Sequence, residues 1–271
     1  MYKSFFGLKE KPFNVTADPN FLFFSKKHRE AFDHLIYGIK ERKGFLEITG
    51  EIGTGKTTLC RALLNQLDKK TKTAFIFNSN LPEVQLLLAI VIDFGIQVRP
   101  KTKINILSEL NRFLIEQLRL GYNVVLIIDE AQNLKAAQLE QIRLLSNLET
   151  DKDKLIQIVL VGQPDLKTKL DSPELEQLRQ RIVVKYHILP LDKEEVDDYI
   201  YHRLHIAGSD GNIHFEPDAI NEIYDYSGGI PRLINIVCDK ALLLGFVLET
   251  KTISLEMIKR SIEEIEGYVK I

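Results

Sequence analysis

Eight consecutive residues, Gly50-Glu51-Ile52-Gly53-Thr54-Gly55-Lys56-Thr57, match the pattern G-x-x-x-x-G-K-[ST] in full. They follow a short apolar segment and open one that reads as a helix. The chemistry of that pattern is phosphate binding. Gly50, Gly53 and Gly55 let the backbone curl until its N–H groups face phosphate oxygens. Glu51, Ile52 and Thr54 complete the cradle, and the following helix adds its positive N-terminus. Lys56 has the reach and charge for the β- and γ-phosphates of ATP, and the Thr57 hydroxyl suits a Mg2+ ion. Thr58 adds a contact to the α-phosphate or caps the helix.

A second group of residues lies at the end of the run Val-Val-Leu-Ile-Ile at 124–128, which stops at Asp129-Glu130. Carboxylates at the tip of a buried strand, in a chain with a phosphate loop, suit a metal site: Asp129 for Mg2+, directly or through water. Glu130 has the chemistry to orient and deprotonate an attacking water. Hydrolysis of ATP fits this pair better than phosphoryl transfer to a metabolite.

Later polar residues fit a ring ATPase. Asn78 ends a strand-like segment, where it either restrains Glu130 or simply closes the strand. Gln163 either senses the γ-phosphate or opens the turn Gly162-Gln163-Pro164. Arg179 and Arg181, in Leu-Arg-Gln-Arg-Ile, offer the planar fork that pairs with a neighbouring subunit's γ-phosphate. Arg181 is the preferred choice of the two. Arg232 follows Gly228-Gly229-Ile230-Pro231 and is aimed by that sharp approach at nucleotide.

The elements that position these residues can be read from patterning. Strand-like runs at 45–49, 73–78, 124–128, 155–161 and 182–188 are rich in β-branched residues and alternate with helical stretches. That predicts a parallel sheet in a three-layer α/β domain over 45–190. One strand, 73–78, separates the phosphate-loop strand from the acidic strand in sequence, which implies an inserted strand, as in the additional-strand catalytic-glutamate class. Residues 191–271 read as helical throughout, a lid domain with helix starts near Asp192, Pro217 and Pro231. Residues 1–44 form a docking segment and a helix at about 27–42. Six of the fourteen Phe residues lie within its first 24 positions, too many for a solvated leader.

Composition bounds the partners. Lys plus Arg is 36 and Asp plus Glu 38, so the net charge of −2 supplies no overall field for nucleic acid. The two cysteines are far apart and exclude a disulfide framework. No apolar run approaches the ~20 residues of a membrane span, and no leader is visible, so the expected location is cytoplasmic. His202 and His205 read as a helix face rather than a zinc site, and Lys26-Lys27-His28-Arg29 as a solvent-facing helix end.

Together these elements resemble the AAA+ superfamily. More closely, Phe5-Phe6-Gly7-Leu8-Lys9-Glu10-Lys11-Pro12-Phe13, Asp18-Pro19-Asn20-Phe21-Leu22 and His28-Arg29-Glu30-Ala31 resemble the general secretion pathway protein A (ExeA-like) family. So do Gly162-Gln163-Pro164-Asp165-Leu166, Gln180-Arg181-Ile182 and Gly229-Ile230-Pro231-Arg232-Leu233-Ile234-Asn235. The resemblance implies an ATPase linked to type II secretion, type IV or MSHA-like pilus assembly, or exopolysaccharide loci. It implies self-association, as a ring or filament with a hexamer as one form, and a protein partner at the inner membrane. Long members carry a transmembrane helix and a peptidoglycan-binding domain. This chain stops at the lid, so it resembles the short form, with no direct peptidoglycan binding expected. By analogy with other AAA+ proteins, residues 24–30 wall the adenine site or pack only. Two other readings stand beside the ATPase: a nucleotide-gated DNA-binding regulator, and a non-hydrolysing ATP-dependent scaffold.

Overall fold

A computed structural model describes residues 2–77, 81–148 and 154–267. In chain order the elements are α1 (Tyr2–Phe6), α2 (Lys26–Lys40), β1 (Phe45–Gly50), α3 (Lys56–Gln66), β2 (Thr71–Ile76), α4 (Glu83–Asp93), α5 (Lys103–Arg119), β3 (Asn123–Ile128), α6 (Ala136–Leu145), β4 (Gln157–Gly162), α7 (Pro164–Leu170), α8 (Glu176–Arg179), β5 (Ile182–Ile188), α9 (Lys193–Ile206), β6 (His214–Phe215), α10 (Pro217–Ser227), α11 (Pro231–Val247), β7 (Thr252–Ile253) and α12 (Leu255–Glu266). Two compact units result. One holds Arg29–Glu51 and Leu59–Ile188; the other holds the residues up to His28, Ile52–Thr58 and the chain from Leu189 onward.

The first unit is built on a five-stranded parallel sheet of order β2-β3-β4-β1-β5. The inserted strand implied by the sequence order is present, but it is not the 73–78 segment. β4 lies between β1 and β3, while β2 (Thr71–Ile76) is an edge. The reason is visible in the side chains. Every residue of β4, Gln-Ile-Val-Leu-Val-Gly, is buried, as suits a central strand covered on both faces. β2, Thr-Lys-Thr-Ala-Phe-Ile, buries only Ala74 and Ile76. Helices close one face over a continuous apolar core that includes Leu86, Leu110, Leu126, Leu139, Leu160 and Leu178.

The second unit is helical except for β6 and β7, which pair in parallel through His214↔Thr252 and Phe215↔Ile253. This corrects the all-helical expectation; two-residue strands carry no periodicity to read. Its core shows where the N-terminal Phe residues go. Phe6, Phe13 and Phe21 are 0%, 1% and 5% exposed and pack with Ile200, Phe215 and Leu242. The leader is therefore part of this unit's core. α9 begins with a capping box in which Asp192 and Glu195 satisfy orphan N–H groups. Pro217 and Pro231 open α10 and α11.

Candidate functional site

The phosphate loop leaves β1 at Gly50 and enters α3 at Lys56. Gly53 and Gly55 have φ of +86° and +93°, a region that side chains with a Cβ rarely enter. At Gly53 space forbids a side chain as well, since a Cβ there would lie 2.6 Å from the Arg232 Cβ. The Arg232 N–H donates to the Gly53 carbonyl at 3.2 Å, so the start of α11 and the loop meet within one unit. Thr54 is fully buried and Lys56 is 6% exposed at the head of α3. Ile52 is solvent-facing, and Thr57 and Thr58 lie in the first turn of α3. The curled backbone and the helix start after it fit a phosphate chain, with Lys56 to pair with its charge.

One residue of this loop's surroundings escaped the sequence reading. His28, in the basic cluster expected to face solvent, is 3% exposed. Its Nε2 donates to the Thr54 carbonyl at 2.7 Å, and its Nδ1 accepts from the Ser25 hydroxyl at 2.7 Å. Ser25 Oγ accepts in turn from the His28 N–H at 3.2 Å, capping the start of α2. Burial pushes the imidazole below its ordinary value, with the Thr54 bond and Glu195 opposing that. The neighbouring residues are also engaged. The Lys26 N–H donates to Glu195 Oε1 at 2.9 Å, and Lys27 pairs with Asp192 at 2.7 Å. The Ser-x-x-His spacing was the available signal, since residue N3 is what an N-cap hydroxyl binds.

The acidic pair belongs to the other unit. Asp129 follows β3, is 2% exposed and accepts the Glu130 N–H through Oδ1 at 2.9 Å. Its own N–H donates to the Ile76 carbonyl at 2.9 Å. Glu130 sits at φ +52°, an uncommon conformation for a residue with a side chain. Its Oε2 accepts from Gln132 Nε2 at 2.5 Å and from Gln163 Nε2 at 3.2 Å. Gln163 stands between β4 and α7. Structure thus brings Glu130 and Gln163 together, and adds Gln132, which the sequence reading did not single out. Asn78 lies outside the described residues. Arg181 precedes β5 and donates to Ser146 Oγ at 2.9 Å and to the Asn147 side chain. Arg179, in α8, reaches Asp171 at 3.5 Å.

Comparison with known proteins agrees with this layout. An AAA domain family model matches residues 39–170. The chain is 45% identical over 268 residues to general secretion pathway protein A of Aeromonas hydrophila, covering 98% of this chain and 49% of that protein. It therefore spans about half the length of that curated relative. Among solved structures, the Aeropyrum pernix ORC2 protein, in ADPNP-ADP complexes, superposes with a TM-score of 0.72 at 18% identity, over 94% of this chain and 72% of that one. Cdc6p from Pyrobaculum aerophilum gives 0.69 at 18% identity, over 97% and 70%. At these identities the likeness is one of fold: a P-loop NTPase sheet of the AAA+ kind with a helical C-terminal region. Among the described residues no helix is long and apolar enough to cross a membrane.

Proposed function

We propose that this chain, an AAA+ P-loop protein related to general secretion pathway protein A, binds ATP with Mg2+ and hydrolyses it to ADP and phosphate. The work served is assembly or energising of a bacterial secretion, type IV pilus-like or exopolysaccharide export system. The observation that carries the reading is the complete phosphate-loop octet, held with Gly53 and Gly55 at positive φ ahead of the buried Lys56. The 45% identity over nearly the whole chain supports the secretion context.

On this reading the loop N–H groups from Gly50 to Gly55 and the Lys56 ammonium hold the phosphate chain. Thr57 and Asp129 are assigned to Mg2+ by motif, and the ion's contribution would be to neutralise charge on the phosphate oxygens. Glu130 takes the proton of the attacking water. Gln163 and Arg232 contact the γ-phosphate end, and Arg181 of a neighbouring subunit completes the charge balance. A self-associating protein on the cytoplasmic side, brought to the inner membrane by a protein partner, follows from that reading.

The test is steady-state ATP turnover per protomer against protein concentration in Mg2+, with ATP binding measured alongside. The expected result is a rate that climbs with concentration in the unaltered chain and loss of both binding and turnover in Lys56→Ala. Intact binding and turnover in Lys56→Ala would sink the proposal. Retention of duplex DNA in a gel shift with ATP at low salt would favour a DNA-binding regulator instead.

A further inference from the structure

Two side-chain amides meet at one oxygen of the Glu130 carboxylate. Both amide donors, Gln132 Nε2 and Gln163 Nε2, converge on Oε2, at 2.5 and 3.2 Å. Gln132 is itself fixed from three directions, two at its side chain and one at its backbone. Its Oε1 accepts the Gln163 backbone N–H at 3.1 Å. Its amide rests against Gly162, where a Cβ would come within 2.8 Å of that Oε1. Its backbone carbonyl accepts from Lys169 Nζ, which also donates to the Leu134 carbonyl at 2.8 Å. Lys169 is on α7, the helix that Gln163 precedes. The turn after the acidic pair is therefore bound to the turn after β4 by one side chain.

We infer that Gln132 is a positioning residue for Glu130. With Gln163 it ties down Oε2 and so sets the orientation of the carboxylate toward the attacking water. The inference rests on the ATPase reading above and assigns a part of its mechanism.

Three physical points carry it. Glu130 adopts φ +52°, a conformation that persists in a non-glycine residue only where its surroundings hold it. A general base works through geometry first, and a carboxylate rotating freely about its last torsion would present neither oxygen consistently. Gln132 also uses its two ends differently: the amide nitrogen serves Glu130 and the oxygen serves the Gln163 backbone. Gln163 is the residue proposed to meet the γ-phosphate, and its amide nitrogen has two hydrogens. One is given to Glu130, and the second can serve a phosphate oxygen. The Gln132–Gln163 pair thus places the base and the proposed sensor on one hydrogen-bonded frame.

The two ends of Gln132 can be separated by substitution. Gln132→Glu keeps the length, the seat on Gly162 and an oxygen for the Gln163 N–H, but turns the donor toward Glu130 into an acceptor. Gln132→Ala removes both. In the full chain, turnover, the Kd of a fluorescent ATP analogue and thermal stability are measured for these two and for Glu130→Gln. Expected is a fall in kcat of about 10–100-fold for Gln132→Glu, with Kd within about 2-fold and an unchanged melting temperature. Gln132→Ala falls similarly. A role in packing alone would spare Gln132→Glu and lower the melting temperature of Gln132→Ala. Wild-type kcat in Gln132→Glu overturns the inference, and so does a raised kcat, which would mean that the amides restrain Glu130 rather than present it. Glu130→Gln separates the two levels. If it binds ATP but does not turn over while Gln132→Glu is normal, only the positioning role fails. If Glu130→Gln turns over normally, or the unaltered chain never does, the reading of Glu130 fails and the inference goes with it.

Discussion

His28 Nε2 donates to the Thr54 carbonyl at 2.7 Å, joining the first turn of α2 to the middle of the phosphate loop. A phosphate loop must turn its N–H groups inward, which leaves carbonyls pointing outward and in need of donors. Thr54 is fully buried, so water does not fill that need. The histidine that does is held by Ser25 at its other ring nitrogen, and Lys26 and Lys27 of the same turn bind Glu195 and Asp192 at the start of α9. The conformation of the loop is thus a property of the N-terminal segment as well as of the glycines.

Replacing His28 by Ala removes this donor from the buried Thr54 carbonyl. A lost buried hydrogen bond costs about 1–1.5 kcal/mol, so ATP affinity is expected to fall by roughly 5–10-fold. His28→Gln, which keeps a donor near the same place, should recover part of it. Calorimetric titration of ATP into the three proteins checks this; equal affinities would show that the loop holds its shape without the tie.

What could be read in advance and what could not follow from how local each feature is. The octet 50–57 and the run ending in Asp129-Glu130 are contiguous, so residue types alone announce them. The parallel sheet was legible from buried β-branched runs such as Val-Val-Leu-Ile-Ile. The place of β4 was not, because sequence order does not give spatial order, although the contrast between Ile-Val-Leu-Val and Thr-Lys-Thr hinted at which strand is central. His28 was hidden among lysines and Gln132 behind two carboxylates. Each acts on a partner 26 or 31 residues away, the Thr54 carbonyl and the Gln163 N–H, which no local pattern encodes.

Arg203 shows the same long reach within the helical unit. Its guanidinium is 6% exposed and donates to the Pro12 carbonyl at 2.6 Å, the Asn14 carbonyl at 3.0 Å and the Tyr199 hydroxyl at 3.1 Å. It also stacks over Phe21, 4.7 Å from the ring centre. Arg203→Lys cannot reproduce that fork. It is expected to cost about 2–3 kcal/mol and to expose residues 12–16 to limited proteolysis. An unchanged cleavage pattern and denaturation midpoint would contradict the role given to it.

Glu47 gives a pH prediction. It lies in mid-β1, facing Leu160 of β4 and Lys185 of β5 in register, and is 4% exposed. Burial raises its carboxyl above the ordinary 4.5, and Lys185 opposes this without cancelling it. A carboxyl raised in the folded state favours folding while protonated, and that contribution is lost as pH rises from 4.5 through the folded value. At neutral pH the ionised group is a burden. Glu47→Gln should therefore melt higher than the unaltered chain at pH 7.5, by about 2–4 °C for each kcal/mol relieved, and the difference should shrink toward pH 4.5. Calorimetric scans across that range decide it; a pH-independent difference would mean that ionisation is not its cause.

Arg181 and Arg179 make a contrasting pair. Arg181 donates to two side chains, Ser146 at 2.9 Å and Asn147, and Ser146 is itself fixed by donating to the Arg143 carbonyl at 2.7 Å. Arg179 has an exposed pairing with Asp171 at 3.5 Å, of a kind worth about 0–1 kcal/mol. A guanidinium that must meet a neighbour's phosphate gains from being pre-ordered, because less side-chain entropy is then lost on contact. Arg181→Ala is thus expected to lower turnover by about 100-fold or more and to abolish its rise with protein concentration, while ATP binding persists. Arg179→Ala should stay within about 2-fold. Mixing Arg181→Ala with a Lys56→Ala partner completes the test: a site with Lys56 beside a subunit with Arg181 recovers turnover only if the arginine acts across the interface. No recovery would place its action within its own chain.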